Sequence, residues 1–254
     1  MNLISFNVNG VRSAINKGLI EWVKELNPDI LCLQEIKLSE TELVEPLFVE
    51  LGYTCHWNPA QKKGYSGVAI LSKEKPEYVK YGSEDDVFDA EGRVITAHFQ
   101  NFTLVNAYFP SGTTGDIRQT LKMKFLDHMT DYLQELRKTH PKIVLCGDVN
   151  ICHTEIDIHN PKSNKNTSGF LPEERAWVSS FIDLGFIDCF RVFNKDPHNY
   201  SWWSYRAGSR GKNLGWRIDY FFSTPELKET LTDAKIHSEI VMSDHCPISL
   251  QLSF

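Results

Sequence analysis

The strongest constraint on the fold of this chain is its supply of short apolar runs. Ten stretches read as strands: Asn2–Val8, Asp29–Gln34, Tyr53–Trp57, Gly67–Leu71, Arg93–Phe99, Phe102–Tyr108, Lys142–Cys146, Tyr200–Trp203, Trp216–Phe222 and Pro247–Leu252. Only four read as amphipathic helices. Gly18–Leu26 stops at Asn27-Pro28, because a residue before proline is pushed out of the helical region. Ser39-Glu40-Thr41-Glu42 has the form of a capping box ahead of Leu43, Leu47 and Leu51, with Gly52 as the stop. Asp116 is placed to cap a long helix with Ile117, Leu121, Phe125, Met129, Leu133 and Leu136 on one stripe. Pro172 opens the fourth helix, which presents Trp177, Phe181 and Leu184 before Gly185.

Strands outnumbering helices in this way disfavour a doubly wound parallel sheet, in which helices alternate with strands. The runs 93–99 and 102–108 face each other across Gln100-Asn101 and predict a hairpin. The pattern therefore suits an α+β fold: two sheets packed face to face, with helices outside. No repeat or low-complexity linker interrupts it, and we expect a single domain over residues 1–254. At 254 residues such a domain can bury roughly 70–75% of its unfolded surface.

The N-terminus lacks a basic and apolar leader, and the longest uncharged run, Val94 to Gly115, holds too many polar and turn residues to cross a membrane. The expected setting is cytoplasmic, with no membrane partner. The six cysteines form no C-x-x-C pair and sit mostly among apolar neighbours, as reduced packing residues do.

Polar residues recur where apolar runs end. Asn7 and Asn9 follow the first run, Glu35 the second, and Asp148 and Asn150 follow Ile143–Cys146; Asp219 interrupts Trp216–Phe222, and Asp244-His245 precedes the last run. A single acid after a strand is ordinarily a turn residue. Five such sites, all Asp, Glu, Asn or His, point to a shared site at one sheet edge. Carboxylates and amides without thiolates or paired histidines suit a hard cation, Mg²⁺ or Mn²⁺, rather than zinc. His153-Thr154-Glu155 lacks the C-x-x-C partner of a zinc deaminase, phosphate-loop and dinucleotide motifs are absent, and Gly64-Tyr65-Ser66-Gly67 misses the serine-hydrolase elbow by one residue. Metal-assisted attack of water on a phosphate ester fits best.

Asn7-Val8-Asn9-Gly10, Leu33-Gln34-Glu35-Ile36-Lys37, Gly67–Leu71, Asn106–Pro110, Gly147-Asp148-Val149-Asn150, Gly215–Asp219 and Ser243-Asp244-His245 occur in this order. Together they resemble the exonuclease III family of apurinic/apyrimidinic endonucleases, within the DNase I-like superfamily, from Met1 to Phe254. Gln34–Lys37, Phe170–Arg175 and Gly215–Asp219 resemble its DNA-repair branch more narrowly. The resemblance implies a four-layer α/β/β/α sandwich. It implies Glu35 as principal Mg²⁺ ligand with Asn9 and Asp244 close to the ion, and Asp148 as proton acceptor, held by Asn7 and assisted by Asn150. It implies His245, oriented by Asp219, and Tyr108 as contacts of the scissile phosphate. Asn9 stands where some members carry Asp, which removes a charge from the metal shell. Thr167 replaces an Asn of some relatives, while Asn164 still matches.

The formal net charge of −6 argues against bulk electrostatic coating of nucleic acid. The charge is uneven, however. Residues 195–218 carry +4, whereas residues 77–91 carry −5 and residues 39–50 carry −4. Within 197–218 there is no acid, and Arg206, Arg210, Lys212 and Arg217 interleave with Trp202, Trp203, Tyr205 and Trp216. Bases alternating with aromatics read as a nucleic-acid surface. Lys162 and Lys165 form a second acid-free stretch, and Lys62 and Lys63 a third candidate. By resemblance, Trp202, Trp216 and Ile218 line a small apolar pocket for a flipped, baseless deoxyribose. The expected partner is duplex DNA with abasic or 3′-blocked sites, met by a monomer. A phosphoesterase acting on RNA, lipid headgroups or inositol phosphates, and a DNA-binding module without catalysis, remain the competing readings.

Overall fold

A computed structural model describes residues 1–254. Fourteen strands form, introduced here in chain order. They are β1 (Asn2–Asn7), β2 (Ile30–Gln34), β3 (Thr54–Asn58), β4 (Val68–Ser72), β5 (Tyr78–Tyr81), β6 (Val94–His98) and β7 (Thr103–Tyr108). The second half adds β8 (Ile143–Asp148), β9 (Ile187–Asp188), β10 (Trp202–Trp203), β11 (Gly215–Trp216), β12 (Asp219–Ser223), β13 (Leu231–Ile236) and β14 (Ile248–Leu252). One six-stranded sheet has the order β13-β14-β1-β2-β4-β3, and the other β5-β6-β7-β8-β12-β9. Each sheet has one central parallel pair, β1/β2 or β7/β8, and antiparallel pairing elsewhere.

Three apolar layers hold four layers of structure together. Between the sheets, Leu3, Ile30, Ile70, Leu104, Val144 and Phe221 interdigitate. Outside the first sheet, Phe6, Leu31 and Leu71 meet Val11, Leu19, Val23 and Phe48 of its covering helices. Outside the second, Val105, Leu145 and Phe222 meet Phe125, Met129, Leu133, Trp177 and Phe181. This is the α/β/β/α sandwich the sequence pattern and resemblance implied. Strands buried on both faces lose the two-residue alternation, which is why β1, β2, β4 and β8 read as continuous apolar runs. The 93–108 hairpin forms as β6 and β7. All six cysteines are unpaired, and all but Cys55 are buried.

Four expectations need correction. The capping box at residues 39–42 does not form: a short 3₁₀ turn covers Thr41–Leu43 and a separate helix runs over Glu45–Val49 without a side-chain cap. Pro46 explains the break, since its ring clashes with the carbonyl four residues back and forces a restart. Gly115, not Asp116, occupies the cap position of the helix Asp116–Thr139, so the Asp116 carboxylate lies in the first turn, where the helix dipole favours it. Ile117 leaves the stripe, 87% exposed. Finally, Trp216–Phe222 is not one strand. It divides into β11, paired with β10, and β12, paired with β8.

Candidate active site

Both parallel pairs deliver their C-terminal ends to the same edge of the sandwich. Asn7 is opposite Gln34 in one sheet, and Tyr108 opposite Asp148 in the other. The antiparallel β12 starts beside them, with Asp219 opposite Asp148. A hydrogen-bonded seam joins the sheets beneath this edge. Gln34 Nε2 donates to Asn106 Oδ1 (2.8 Å), and Asn106 Nδ2 donates to the carbonyls of Leu33 and Ala69. Gly147 allows β8 to approach β7 closely: its φ is +138°, and a Cβ there would lie 1.8 Å from the Ala107 carbonyl oxygen. The result is a cleft of about 320 Å³ whose lining includes Glu35, Tyr108, Asp148, Asn150, Asp244 and His245.

Asp148 is buried and oriented from three sides. Asn7 Nδ2 donates to Oδ2 (2.9 Å), the Asn150 amide donates to Oδ1 (2.9 Å), and Asn150 Nδ2 donates to Oδ2 (3.1 Å). Asn150 reaches it from the left-handed region (φ +58°), a conformation Asn tolerates. His245 Nε2 lies 3.8 Å from Asp148 Oδ2, and its Nδ1 bonds Asp219 Oδ2 at 2.9 Å. Asp219 is itself held by Ser201, whose hydroxyl donates at 2.6 Å.

The electrostatics follow from burial and this chain of charges. Burial pushes the Asp148 carboxyl up to about 7, with Asp219 adding to the rise and His245 opposing it. Burial alone would lower His245, but Asp219 and Asp148 outweigh it and carry the imidazole up to about 10. Burial, with Glu35 and Asp148 behind it, holds the Tyr108 hydroxyl well above its ordinary value, so it stays a donor. The Arg93 guanidinium packs 4.9 Å from the Tyr108 ring centroid.

Glu35, Asn9 and Asp244 lie beside this group. Asn9 Nδ2 donates to Asp244 Oδ1 (2.9 Å), while the Lys37 ammonium contacts both Asn9 Oδ1 and Glu35 Oε1 (2.9 Å for the latter). A cationic group thus already bridges Glu35 and Asn9, and every donor atom turned to it is a hard oxygen. These residues fit a hard divalent ion. Burial would raise Asp244, but His245, Asn9 and Trp202 keep it below its ordinary value and ionised. Asp148, Asp219 and His245 also cluster within 4.8 Å. Asp219 is already hydrogen-bonded to His245 and Ser201, and Asp148 to Asn7 and Asn150, so they read better as an acid–base chain than as a cation nest.

One wall of the cleft is aromatic. Trp202 and Trp216 meet edge to face, with centroids 5.9 Å apart, and pack with Ile218, Ile158 and Phe170. Trp202 Nε1 donates to Asp244 Oδ2 (3.0 Å), tying this wall to the oxygen cluster. The basic stretch divides in three dimensions. Arg206 and Lys212 are exposed. Arg210 turns inward: its Nη atoms donate to the carbonyls of Ser238, Ile240, Ser243 and His245, and its guanidinium stacks 4.5 Å from the Trp203 ring. Arg217 is fully buried and leaves the surface altogether. Asn164 spends its amide on the carbonyls of His159 and Asn160, bracing its own loop, while Thr167 and Ser168 reach the cleft. Lys162, Lys165, Lys62 and Lys63 are exposed.

The sequence assigns no role to Ser201, Ser168, Ser111 or Thr113, nor to Lys37, although Lys37 closes the Gln34–Lys37 motif. Ser and Thr are too common for a local signal: Ser111, Thr113 and Ser168 stand out only because they line the cleft, and Ser201 only because it holds Asp219. Lys122 was missed because it falls on the apolar side of its helix. It is wholly buried there, donating to the Asn150 carbonyl (2.8 Å) and pairing with Glu174 (2.6 Å).

A buried carboxylate facing a carboxylate-bound imidazole, beside an oxygen-rich cluster, is the equipment of a phosphoester hydrolase. Residues 4–245 match the Endonuclease/Exonuclease/phosphatase family, and the chain belongs to it. It is 44% identical over 253 residues to an exodeoxyribonuclease of Bacillus subtilis, covering 98% of both chains. An AP endonuclease from Archaeoglobus fulgidus superposes with a TM-score of 0.91 at 32% identity, covering both chains fully. So does the 3′ phosphatase NExo from Neisseria bound to a product DNA hairpin, with a TM-score of 0.92 at 27% identity.

Proposed function

We propose that this protein is a Mg²⁺-dependent DNA-repair nuclease that hydrolyses the backbone 5′ to abasic sites in duplex DNA and leaves a 3′-hydroxyl. Removal of 3′-blocking groups and 3′→5′ exonuclease action accompany it, at the same site. The observation that carries this reading is the juxtaposition of Asp148 and His245–Asp219 with a wall of Trp202, Trp216 and Ile218 in one cleft. The names of the relatives, an exodeoxyribonuclease, an AP endonuclease and a 3′ phosphatase, agree with one site serving all three reactions. A single domain acting as a monomer is the simplest form of this reading.

Asp148 takes a proton from the attacking water, with Asn7 and Asn150 holding its lone pairs in place, as the water oxygen bonds to phosphorus and the P–O3′ bond breaks; the departing 3′-oxygen takes its proton from solvent water. Protonated His245 and the Tyr108 hydroxyl donate to the phosphate oxygens as charge builds there. Glu35, Asn9 and Asp244 would hold Mg²⁺, or Mn²⁺ in its place, and when bound it supplies Lewis-acid stabilisation of the same charge. An abasic sugar leaves the helix cheaply because it has no base to unstack, and a tight apolar wall excludes intact nucleotides. Arg206 and Lys212, with Lys162 and Lys165, are the exposed cations available to the backbone.

The direct test is incubation with duplex DNA bearing one tetrahydrofuran abasic analogue, with Mg²⁺ and with EDTA. Incision at the lesion, abolished by EDTA, is expected; no metal-dependent incision would overturn the reading. Trp216→Ala should reduce abasic incision far more than 3′→5′ exonuclease action, and equal losses would return Trp216 to a packing role. The pH profile has a defined sign. Activity requires ionised Asp148 and protonated His245, so single-turnover rates should rise through about pH 7 and fall as pH approaches about 10. A rate independent of pH across the acidic limb would remove Asp148 as the base.

A further inference from the structure

Residues 216–218 form the base of the aromatic wall, and extended backbone sends alternate side chains in opposite directions. Trp216 and Ile218 reach the cleft, so Arg217 between them points away, into the protein. There each of its three nitrogens donates to a carboxylate. Its Nη1 and Nη2 grip Asp188 as a fork, at 3.2 and 2.7 Å, and Nε donates to Asp157 Oδ1 at 2.6 Å. Arg191 Nη2 meets the same Asp157 oxygen, and the Thr154 amide and hydroxyl hold the other oxygen of that carboxylate. The guanidinium lies 4.4 Å from the Tyr220 ring centroid.

These bonds have a spatial consequence for the cleft. The Arg217 amide donates to the Asp157 carbonyl (2.7 Å), the His159 amide donates to the Gly215 carbonyl (2.9 Å), and Ile158 bridges Trp216. Segment 157–159 is thereby laid alongside 215–217, and Ile158 packs behind Trp216 and Ile218. Asp188 lies in the two-residue strand β9, at the far edge of its sheet. The position of the wall is thus referred to a point outside the cleft.

We infer that Arg217, locked between Asp188 and Asp157, is a positioning residue that sets the width of the pocket for the baseless sugar and so the preference for abasic over intact DNA. This rests on the function proposed above. A 3′-phosphate at a nick has no sugar beyond the bond that breaks, so nothing need enter the pocket. The reaction on that substrate should not depend on Arg217.

The test uses the full chain and two variants. Arg217→Lys keeps the charge but loses the planar two-pronged grip. Asp188→Asn keeps a hydrogen-bond acceptor, and Asn caps the following helix as well as Asp does. Wild type is assayed first on tetrahydrofuran-containing duplex; failure to incise overturns the underlying function before any variant is read. If wild type incises, each variant is compared on that duplex and on a nicked duplex ending in a 3′-phosphate, with circular dichroism confirming the fold. The expected result in a folded variant is a loss of roughly 10- to 100-fold in kcat/KM on the abasic duplex, the scale of a wall displaced by about an ångström. Release of the 3′-phosphate should stay near wild type. Parallel losses on both substrates, or no loss on either, in a folded variant would overturn the inference.

Discussion

Asp148→Asn is expected to lower abasic-site incision by about 10²–10⁴-fold while leaving DNA binding within a few-fold of wild type. The replacement has almost the same shape and still offers an oxygen to Asn7 or the Asn150 amide, so the turn after β8 should survive. What disappears is the ability to accept a proton at neutral pH. Asp148 suits that task because burial places it up to about 7, close to the working pH, where a base is both ionised and able to hold the proton. Single-turnover incision and equilibrium binding to the same tetrahydrofuran duplex separate the two effects. An active Asp148→Asn variant would assign the base elsewhere. A loss that lies mainly in binding would make Asp148 a scaffold.

The second large effect is expected at His245. Its imidazole is fully buried between two carboxylates, and that arrangement keeps it protonated well into the alkaline range. His245→Gln retains a polar side chain but no positive charge. The expected loss is about 10²–10³-fold in kcat with KM little changed, as for a donor that acts on charge developed in the transition state. Asp219→Asn should produce a smaller loss of the same kind, because Asp219 acts through His245 Nδ1. The double variant should then be little worse than His245→Gln alone, since the two residues work as one unit. Additive losses would separate Asp219 from His245. A raised KM with normal kcat would place His245 in substrate binding instead.

Much of this site is legible in the sequence because buried strands announce themselves and their ends are then easy to find. Asn7, Glu35, Tyr108, Asp148 and Asp244-His245 each border an apolar run, and all meet at one edge of the sandwich. Three strands are absent from those runs: β9 is only two residues long, and the other two lack the signal for the opposite reason. Tyr78–Tyr81 and Leu231–Ile236 are edge strands with half-exposed faces, so they lack the continuous apolar signature. The break within Trp216–Phe222 is hidden because Arg217 and Asp219 alternate with Trp216, Ile218 and Tyr220, the two-residue pattern of a single half-buried strand. Only pairing shows that Trp216 follows Trp202 while Asp219 follows Asp148.

The uneven charge illustrates the same division. A net +4 over residues 195–218 is a property of the sequence, and so is its alternation with aromatics. Which of those cations meet solvent depends on where Asp157, Asp188 and the carbonyls near Ser243 lie in space. Arg217 and Arg210 are drawn inward by those partners, while Arg206 and Lys212 are not. By itself the sequence determined the strand-rich framework, the family and the residue types at the strand ends, because hydrophobic periodicity and local motifs are written along the chain. Tertiary structure alone decided the neighbours of each charge. That in turn decided which carboxylate is raised, which imidazole stays protonated and which arginine is structural, because electrostatic energy depends on distances and burial that sequence separation does not record.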